Sequence, residues 1–215
     1  MRSTVDSFFN NVLEFPFLFS WEESTVLRMP VACLDDGSTV LGESRIFYHK
    51  KDTRRQISRV VLIPEHPKAY PESLRAIEEA DLILIGPGSL YTSIIPNFLV
   101  SGITEAVQNA RGYKLLIMNL MTQDGETEGY TASDHLKALL HHGRAGMVDG
   151  VLANSSPIPD HLLEEYVREG AEVLDVDRDR VEALGVPLFT APMLSDSSEY
   201  ARHDPMLLAR AIMEL

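Results

Sequence analysis

The stretch ADLILIGPGSLYTSIIPNFLV, residues 80–100, joins a continuous apolar run to a loop of glycines and hydroxyl side chains. The apolar run predicts a strand that is buried on both faces, as in a parallel sheet. Gly86 and Gly88 permit positive φ and close backbone approach, and the amides that begin the following helix would point at an anion. The loop is therefore either a phosphate-binding turn or an ordinary strand-to-helix turn with hydroxyl caps. It follows neither the P-loop nor the dinucleotide-binding pattern.

Apolar runs and amphipathic segments alternate around this stretch. The runs predict strands at KLLIMNL (114–120), DGVLANS (149–155), AEVLDV (171–176) and VPLFTA (186–191). The other segments predict helices at PESLRAIEEA (71–80), GITEAVQNA (102–110), TASDHLKALLHH (131–142), PDHLLEEYVREG (159–170) and DPMLLARAIMEL (204–215). This alternation implies an α/β fold with a mostly parallel sheet and helices on both faces. Ligands of such sheets collect at the carboxyl ends of the strands, where the loops are GPGSLYTS, NLMTQDGETEGYTASDH and NSSPIPD.

The chain before residue 70 has a different pattern. TVLRMPVACL (25–34) and TVLGESRIFY (39–48) flank the turn DDGS, which predicts an antiparallel β-hairpin. ISRVVLIPE (57–65) is a third β-rich run. Residues 1–24 are apolar and aromatic but are interrupted by polar side chains, so they predict neither a signal peptide nor a membrane span. We therefore expect an atypical segment at 1–24 and one α/β domain at 25–215.

The charge balance of the chain limits its partners. The 215 residues include 32 acidic and 19 basic side chains, which give a formal net charge of −13. Such a surface repels nucleic acid and anionic membranes, so we expect neither as a partner. Local amides and one arginine can still bind a small anion. Cys33 is the only cysteine, which excludes an internal disulfide and a multi-cysteine metal site and favours a cytoplasmic protein.

The loop NLMTQDGETEGYTASDH (119–135) is long for a strand-to-helix connection, and such loops are usually functional or mobile. Asp134 and His135 are adjacent and point apart on a helix, so helix N-terminal charge is a better explanation for them than a metal site. His141 and His142 end the same helix and are interpreted as cations that cap it. The loop side chains capable of polar contact are Asn119, Thr122, Gln123, Glu126, Tyr130, Asp134 and His135.

The segment ARHDP (201–205) precedes the last predicted helix. Asp204 as N-cap and Pro205 at the first helical position explain those two residues. Arg202 has no such structural explanation, and its guanidinium suits forked recognition of phosphate. Both readings stay open for Arg202. Tyr166, on an earlier helix, belongs either to the core or to a pocket wall.

Four segments, taken in order, resemble the bacterial gluconeogenesis factor (YvcK-type) family within the superfamily of 2-phospho-L-lactate transferase (CofD). The resemblance extends from about residue 25 to the end of the sequence. The segments are ADLILIGPGSLYTSIIPNFLV, NLMTQDGETEGYTASDHLKAL, PIPDHLLEEYVREGAE and ARHDP.

This resemblance implies a Rossmann-like fold, a cytoplasmic location and a role in cell shape and carbon-source-dependent cell-wall metabolism. It also implies a UDP-sugar ligand or, for the transferase relatives, a nucleoside-diphosphate-activated donor. Both ligands carry a diphosphate, and Mg²⁺ bound with it is the one cofactor that we expect. Tyr166 and Arg202 match family positions that contact the nucleotide-sugar. The expected ligand-binding residues are Gly86, Gly88, Ser89, Leu90, Thr92, Asn119, Thr122, Tyr130, Tyr166 and Arg202.

The sequence also departs from that family. Family members open with a strand that runs into GGGTG, followed by PPGD and GHSLGN, and none of these occurs in this sequence. We therefore expect 25–215 to be the C-terminal part of the family fold, without one wall of the phosphate site and without acidic residues of the transferase centre. A nucleotide-sugar-binding regulatory protein is the leading hypothesis, rather than an enzyme. The alternatives are a phospholactyl-type transferase and a truncated inactive remnant, and a homo-oligomer that pairs through an apolar face stays open.

Overall fold

The computed structural model describes residues 29–46, 55–195 and 200–215, so the predicted segment 1–24 lies outside the described residues. The strands are β1 Met29–Leu34, β2 Thr39–Leu41, β3 Ile57–Ile63, β4 Leu82–Ile85, β5 Tyr113–Ile117, β6 Gly150–Asn154 and β7 Leu188–Ala191. The helices are α1 Pro71–Glu79, α2 Ile95–Phe98, α3 Ile103–Asn109, α4 Ala132–His142, α5 Asp160–Glu169, α6 Arg178–Glu182 and α7 Pro205–Met213, with a π-helical turn, Leu90–Ile94, before α2. Over the described ranges, every helix is too short or too polar to cross a membrane.

The parallel sheet has the strand order β4-β5-β6-β7. Leu84 pairs with Leu115 between β4 and β5, and Val151 pairs with Leu188 between β6 and β7. Each connection carries at least one helix, as a parallel pair requires. The parallel α/β sheet predicted from the alternating pattern is therefore confirmed.

Helices cover both faces of this sheet. On one face Leu116 and Val151 pack in a large buried cluster with Leu136 of α4. On the other face Leu115 packs with Ile212 of α7. Successive strand residues point to opposite faces, so apolar residues at consecutive positions supply both clusters. Each fully buried aliphatic side chain contributes roughly 1.5–3 kcal/mol to the free energy of unfolding.

A separate antiparallel sheet of order β2-β1-β3 contains the predicted hairpin. Val31 of β1 pairs with Leu41 of β2 on one side and with Val61 of β3 on the other. The second hairpin strand is shorter than predicted: β2 ends at Leu41, and residues 43–46 are helical.

One predicted strand, AEVLDV (171–176), is wrong. This segment makes only isolated bridges, Met121 with Val173 and Thr131 with Asp175. The physical reason is that β6 pairs directly with β7, so the segment lies against the 119–131 loop rather than inside the sheet.

His142 joins the antiparallel sheet to the α/β unit. Its Nδ1 lies 2.8 Å from the carbonyl oxygen of Ala138, and its Nε2 accepts a 2.9 Å hydrogen bond from the amide of Val60 in β3. Burial lowers the pKa of His142, and an acceptor nitrogen requires the neutral ring. The contact with Ala138 agrees with a capping role, but the prediction that His142 caps the helix as a cation is wrong, because the ring that accepts from Val60 is neutral.

Candidate functional site

The carboxyl ends of β4, β5 and β6 meet at one edge of the sheet, and an asparagine stabilises the loops there. Asn119, just after β5, bonds to the backbone of Gly88 in the loop after β4. Its Oδ1 accepts from the Gly88 amide at 3.1 Å, and its Nδ2 donates to the Gly88 carbonyl at 2.9 Å. This two-point contact fixes the GPG turn relative to the end of β5.

Asn154, the last residue of β6, also hydrogen-bonds to loop backbone through its side-chain amide. Its Oδ1 accepts from the amides of Ser156 and Met193 at 3.1 and 2.9 Å, and its Nδ2 donates to the Ser156 carbonyl at 2.7 Å. The contact with Met193 connects the end of β6 to the segment that follows β7. The edge is therefore held together by side-chain amides at two strand ends.

The amides of the 86–94 loop mostly have protein acceptors. Besides Gly88, the amides of Ser93 and Ile94 donate to the Ser89 carbonyl at 2.9 Å. The amide of Tyr91 donates to Glu126 Oε2 at 3.0 Å, and the Thr92 hydroxyl donates to Glu126 Oε1 at 2.7 Å. The carboxylate of Glu126 thus occupies the position that the sequence pattern offers to an external anion.

Tyr91 and Tyr130 form a second link between the same two loops. Their hydroxyl oxygens lie 2.7 Å apart, and their rings pack edge to face with centroids 6.3 Å apart. Burial raises the pKa of both phenols, which are therefore neutral hydrogen-bonding groups at ordinary pH. Tyr130 is half-buried: its hydroxyl contacts Tyr91, and the residue also lines the open cleft between β3 and α4.

Thr122 is buried and connects the 119–131 loop to the segment after α5. Its amide donates to the Glu172 carbonyl at 2.7 Å, and its Oγ1 accepts from the Glu172 amide at 2.8 Å. Only 4% of Thr122 is exposed, so the structure gives it a role in holding two loops together.

Tyr166 contacts the loop that carries Arg202, although a long segment separates the two residues in the sequence. The Tyr166 hydroxyl donates to the Ala201 carbonyl at 3.5 Å, one residue before Arg202. Arg202 is exposed, and its guanidinium carbon lies 5.6 Å from the ring centroid of Tyr200. Its backbone carbonyl accepts from the amide of Ser195 at 2.9 Å. The loop backbone is thus fixed while the guanidinium stays at the surface.

His203 attaches the Arg202 segment to the end of β5. A ring nitrogen of His203 is hydrogen-bonded to the backbone of Met118, the residue before Asn119, and burial lowers the pKa of the imidazole. Its buried Nε2 has no hydrogen-bond partner among the described residues, so Nδ1 makes the bond to Met118. One hydrogen bond therefore connects the Asn119 and Arg202 parts of the edge.

The structure divides the predicted ligand residues into two kinds. Gly86, Gly88, Ser89, Asn119, Tyr166 and Arg202 lie at or near the strand-end edge and are half-buried or exposed. Leu90, Thr92 and Thr122 are buried, and Tyr130 is half-buried behind them. A diphosphate site at this edge stays a prediction.

Sequence reasoning did not select three residues that organise the edge, namely Tyr91, Glu126 and Asn154. Glu126 was counted only among seven polar side chains of its loop. Its burial, at 1% exposed, comes from packing between two loops and has no local sequence signal. For Asn154 the signal was available, because an asparagine at a strand end often caps a loop.

Two cavities lie near these loops. A groove of about 270 Å³ runs beside β4 and is lined by Gly86, Pro87, Gly88 and Asn97 together with apolar side chains of the core. A larger and more open cleft, of about 650 Å³, lies between β3 and α4. The groove agrees better with ligand binding at the strand ends, where α/β sheets place their ligands. Among the described residues, no three His, Cys, Asp or Glu side chains are grouped as metal ligands would be.

Comparison with known families gives one match over most of the chain. The sequence model described as 2-phospho-L-lactate transferase CofD matches residues 26–194. Gluconeogenesis factors from Halalkalibacterium halodurans and Bacillus subtilis are 43% and 42% identical over 181 and 182 residues. Those regions are 84% and 85% of this chain but 55% and 56% of the relatives, so the chain spans about half their length.

Solved structures agree with the sequence comparison. Two crystal structures of a Bacillus halodurans protein, one of them described as a member of the UPF0052 family, superpose with TM-scores of 0.82 and 0.81 at 41% identity. The superposition covers 86% of this chain and 58% and 59% of those chains.

Proposed function

The chain belongs to the 2-phospho-L-lactate transferase CofD family and is similar to gluconeogenesis factors, and from this premise we propose that it binds a nucleotide-sugar of the UDP-sugar type and acts as a regulatory protein. The diphosphate lies at the carboxyl edge of the parallel sheet, beside Gly86, Gly88 and Ser89. The nucleotide lies toward Tyr166 and Arg202.

The observation that carries this proposal is the convergence of Tyr166 and Arg202. Tyr166 comes from α5 and Arg202 from the segment before α7, and the bond from Tyr166 to Ala201 brings α5 against the loop that carries Arg202, which supports the proposal. An aromatic ring close to a loop that presents an exposed guanidinium suits a ligand that combines a flat base with phosphate charge. Arg202 supplies positive charge to a protein whose formal net charge is −13, so local rather than global charge attracts the ligand.

The loop after β4 supports the diphosphate position. Asn119 holds Gly88 in place, and the bond of His203 to Met118 keeps the Arg202 segment near the same strand end. Ser89 is half-buried at the start of the π-helical turn, where its hydroxyl can donate to a phosphate oxygen.

The expected Mg²⁺ is less well supported by the residues at this edge. Asn119 is committed to Gly88, and Asp204 accepts from the amides of Met206 and Leu207 at the start of α7. Mg²⁺ prefers carboxylate and water oxygens in an octahedral arrangement. The described side chains do not present such a set, and the proposal uses no step that runs through the metal.

The proposal includes a biological role, which is inferred from the family to which the chain belongs. A protein of this kind acts in the cytoplasm on cell shape and on cell-wall and carbon metabolism, in response to its nucleotide-sugar. Self-association is compatible with such a role and stays a prediction.

Isothermal titration with UDP-sugars tests the proposal. We expect wild type to bind and Arg202→Ala to bind at least about tenfold more weakly, because a charge-assisted hydrogen bond contributes roughly 1.5–3 kcal/mol. Arg111→Ala is the matched control, since Arg111 is exposed just before β5, at the opposite edge of the sheet. Equal heats for wild type and Arg202→Ala would remove Arg202 from the site. No heat from wild type would contradict binding and favour an inactive remnant.

A phospholactyl-type transferase is the second candidate, because the matching family is described by that activity. Such an enzyme moves a phospholactyl group from a nucleoside-diphosphate-activated donor to a deazaflavin acceptor, breaking the P–O–P bond of the donor and releasing the nucleoside monophosphate. Incubation of the protein with donor, acceptor and Mg²⁺, followed by chromatography of the acceptor, tests it. Product formation supports the enzyme, and unchanged acceptor leaves the binding protein as the proposal.

A further inference from the structure

Glu126 is the most deeply buried acidic side chain among the described residues, with 1% of its surface exposed. Its two carboxylate oxygens accept from different donors, the amide of Tyr91 at 3.0 Å and the hydroxyl of Thr92 at 2.7 Å. The amide of Thr92 also contributes to the carboxylate's environment, and Gln123 Nε2 lies 3.5 Å away. All of these donors are neutral.

The carboxylate meets the first turn of the π-helical segment Leu90–Ile94. Backbone amides at such a turn lack partners within the turn, and a negative charge there is favourable. Glu126 provides this charge from the other loop of the site, 35 residues away from Tyr91 along the chain. The contact therefore joins the two loops that the Asn119–Gly88 pair and the Tyr91–Tyr130 contact also connect.

No described basic side chain pairs with Glu126. Burial is the main cause that raises the pKa of its carboxyl, and the negative charge of Glu43 raises it further. The hydrogen bonds from Tyr91 and Thr92 act in the opposite direction, because they favour the charged form. A buried carboxyl without a counter-ion is costly to ionise, so its presence in this position needs a reason beyond packing.

We propose that Glu126 is a positioning residue of the strand-end site, and that its carboxylate fixes the 86–94 loop against the 119–131 loop. Glu126 already accepts the hydrogen bonds of the Tyr91 amide and the Thr92 hydroxyl, so these donors are not free for a ligand. An external phosphate therefore binds at the Gly86–Ser89 end of the loop, and Arg202 supplies the positive charge. The ligand part of this inference rests on the proposed function, whereas the positioning is a property of the free protein.

Hydrogen exchange of the ligand-free protein tests the positioning, with protection factors measured at the amides of Tyr91 and Thr92. We expect Glu126→Ala to lower them at least about tenfold at pH 7.5. Glu126→Gln keeps the shape but offers only one carbonyl oxygen, so an intermediate loss is expected. Glu78→Gln is the matched control, because Glu78 is exposed on α1. Unchanged protection in Glu126→Ala would overturn the inference.

The pH dependence of this exchange protection separates the effect of the Glu126 charge from the effect of its side-chain shape. Burial raises the pKa of Glu126 above its value in an opened loop, so the closed site takes up a proton more readily than the opened one, and we expect the protection of Tyr91 in wild type to increase toward pH 5. The protection in Glu126→Gln, corrected for intrinsic exchange, changes less. The histidines are the same in both proteins, so their titration cancels in this comparison. If Glu126→Ala does not fold, Glu126→Gln and the pH profile carry the test, and identical profiles for wild type and Glu126→Gln would contradict a role for the charge.

Titration with a UDP-sugar tests the link to the ligand. We expect Glu126→Gln to bind about tenfold more weakly than wild type, although Glu126 does not touch the ligand. Equal affinity would overturn this link. If wild type itself does not bind, the proposed function fails, and the exchange experiment still decides the positioning role.

Discussion

The backbone at Gly86 has a φ of +81°, and a Cβ there would lie 3.1 Å from the carbonyl oxygen of Ile117 and 3.2 Å from Cδ1 of Ile94. Gly88, two residues later, has no left-handed φ, and a Cβ there would be 3.6 Å from the Cβ of Ser93. The two glycines of the GPG turn therefore meet different requirements. The positive φ and the close neighbours of Gly86 both favour glycine there, whereas neither condition applies to Gly88.

We predict that Gly86→Ala destabilises the protein by about 1–2 kcal/mol, because an L-residue in the left-handed region carries that cost. We predict that Gly88→Ala stays within about 1 kcal/mol of wild type, since ordinary van der Waals contact awaits its methyl group. Urea denaturation followed by circular dichroism measures both. A larger loss for Gly88→Ala than for Gly86→Ala would contradict this assignment.

At the scale of elements, α7 stabilises the second face of the sheet and depends on its first turn. Asp204 Oδ1 accepts from the amides of Met206 and Leu207 at 2.8 and 2.9 Å, and Pro205 follows at the first helical position. The helix buries Ala211 and Ile212 against the parallel sheet. A weaker cap would therefore loosen the cover of that face.

We predict that Asp204→Ala lowers the free energy of unfolding by about 1 kcal/mol, the typical loss for an N-cap. For a domain of this size the melting temperature falls by roughly 2–4 °C. Asp204→Asn is the control and stays close to wild type, because asparagine caps helices as well as aspartate does. Thermal melts of the three proteins give the comparison, and an Asn variant as unstable as the Ala variant would argue against capping.

We expect the contact between β3 and α4 to depend on pH, because it includes a histidine that accepts a hydrogen bond. His142 accepts from the amide of Val60, so it must be neutral, and burial lowers its pKa below the ordinary value of 6.5. The pKa values of His135 and His203 are lowered for the same reason. Below pH 6.5 the unfolded chain binds more protons at these rings than the folded chain does. Their contribution to stability is therefore present above pH 6.5 and is lost as pH falls.

We predict that the urea midpoint of wild type decreases between pH 7.5 and pH 5.5, and that the exchange protection of the Val60 amide decreases with it. His142→Gln reduces the slope, while His141→Gln, a change at the exposed neighbour, keeps it. A wild-type midpoint that rises toward pH 5.5 would show that proton uptake by a carboxyl with a raised pKa, such as Glu126, dominates instead.

At the scale of the whole molecule, the formal net charge of −13 governs interactions with other macromolecules. We predict no binding to double-stranded DNA or to RNA at about 50 mM salt, because phosphate backbones require a basic surface. An electrophoretic mobility assay measures this. A salt-sensitive shift in mobility would reveal a local basic surface that outweighs the total charge.

Local patterns predicted most of the elements. The continuous apolar run of β4 and the Asp204-Pro205 start of α7 each depend on neighbours within a few residues, and the structure confirms both. The failures are the short β2 and the absent strand at 171–176. Residues 43–46 form a turn of helix instead of extending β2, and residues 171–176 lie against the 119–131 loop instead of joining the sheet. In both places packing, and not the β-propensity of the segment, decides the structure.

The sequence by itself determined most of the secondary elements and their order along the chain, the parallel class of the sheet and the loops at its carboxyl edge. It also determined the family, because long loop motifs are carried in a fixed order. Only the tertiary structure decided which groups those loops contact. The acceptors for the loop after β4 are Asn119 and Glu126, 31 and 35 residues away from their partners. A buried hydrogen bond between distant residues depends on how two loops pack, and a local sequence pattern contains no information about that packing.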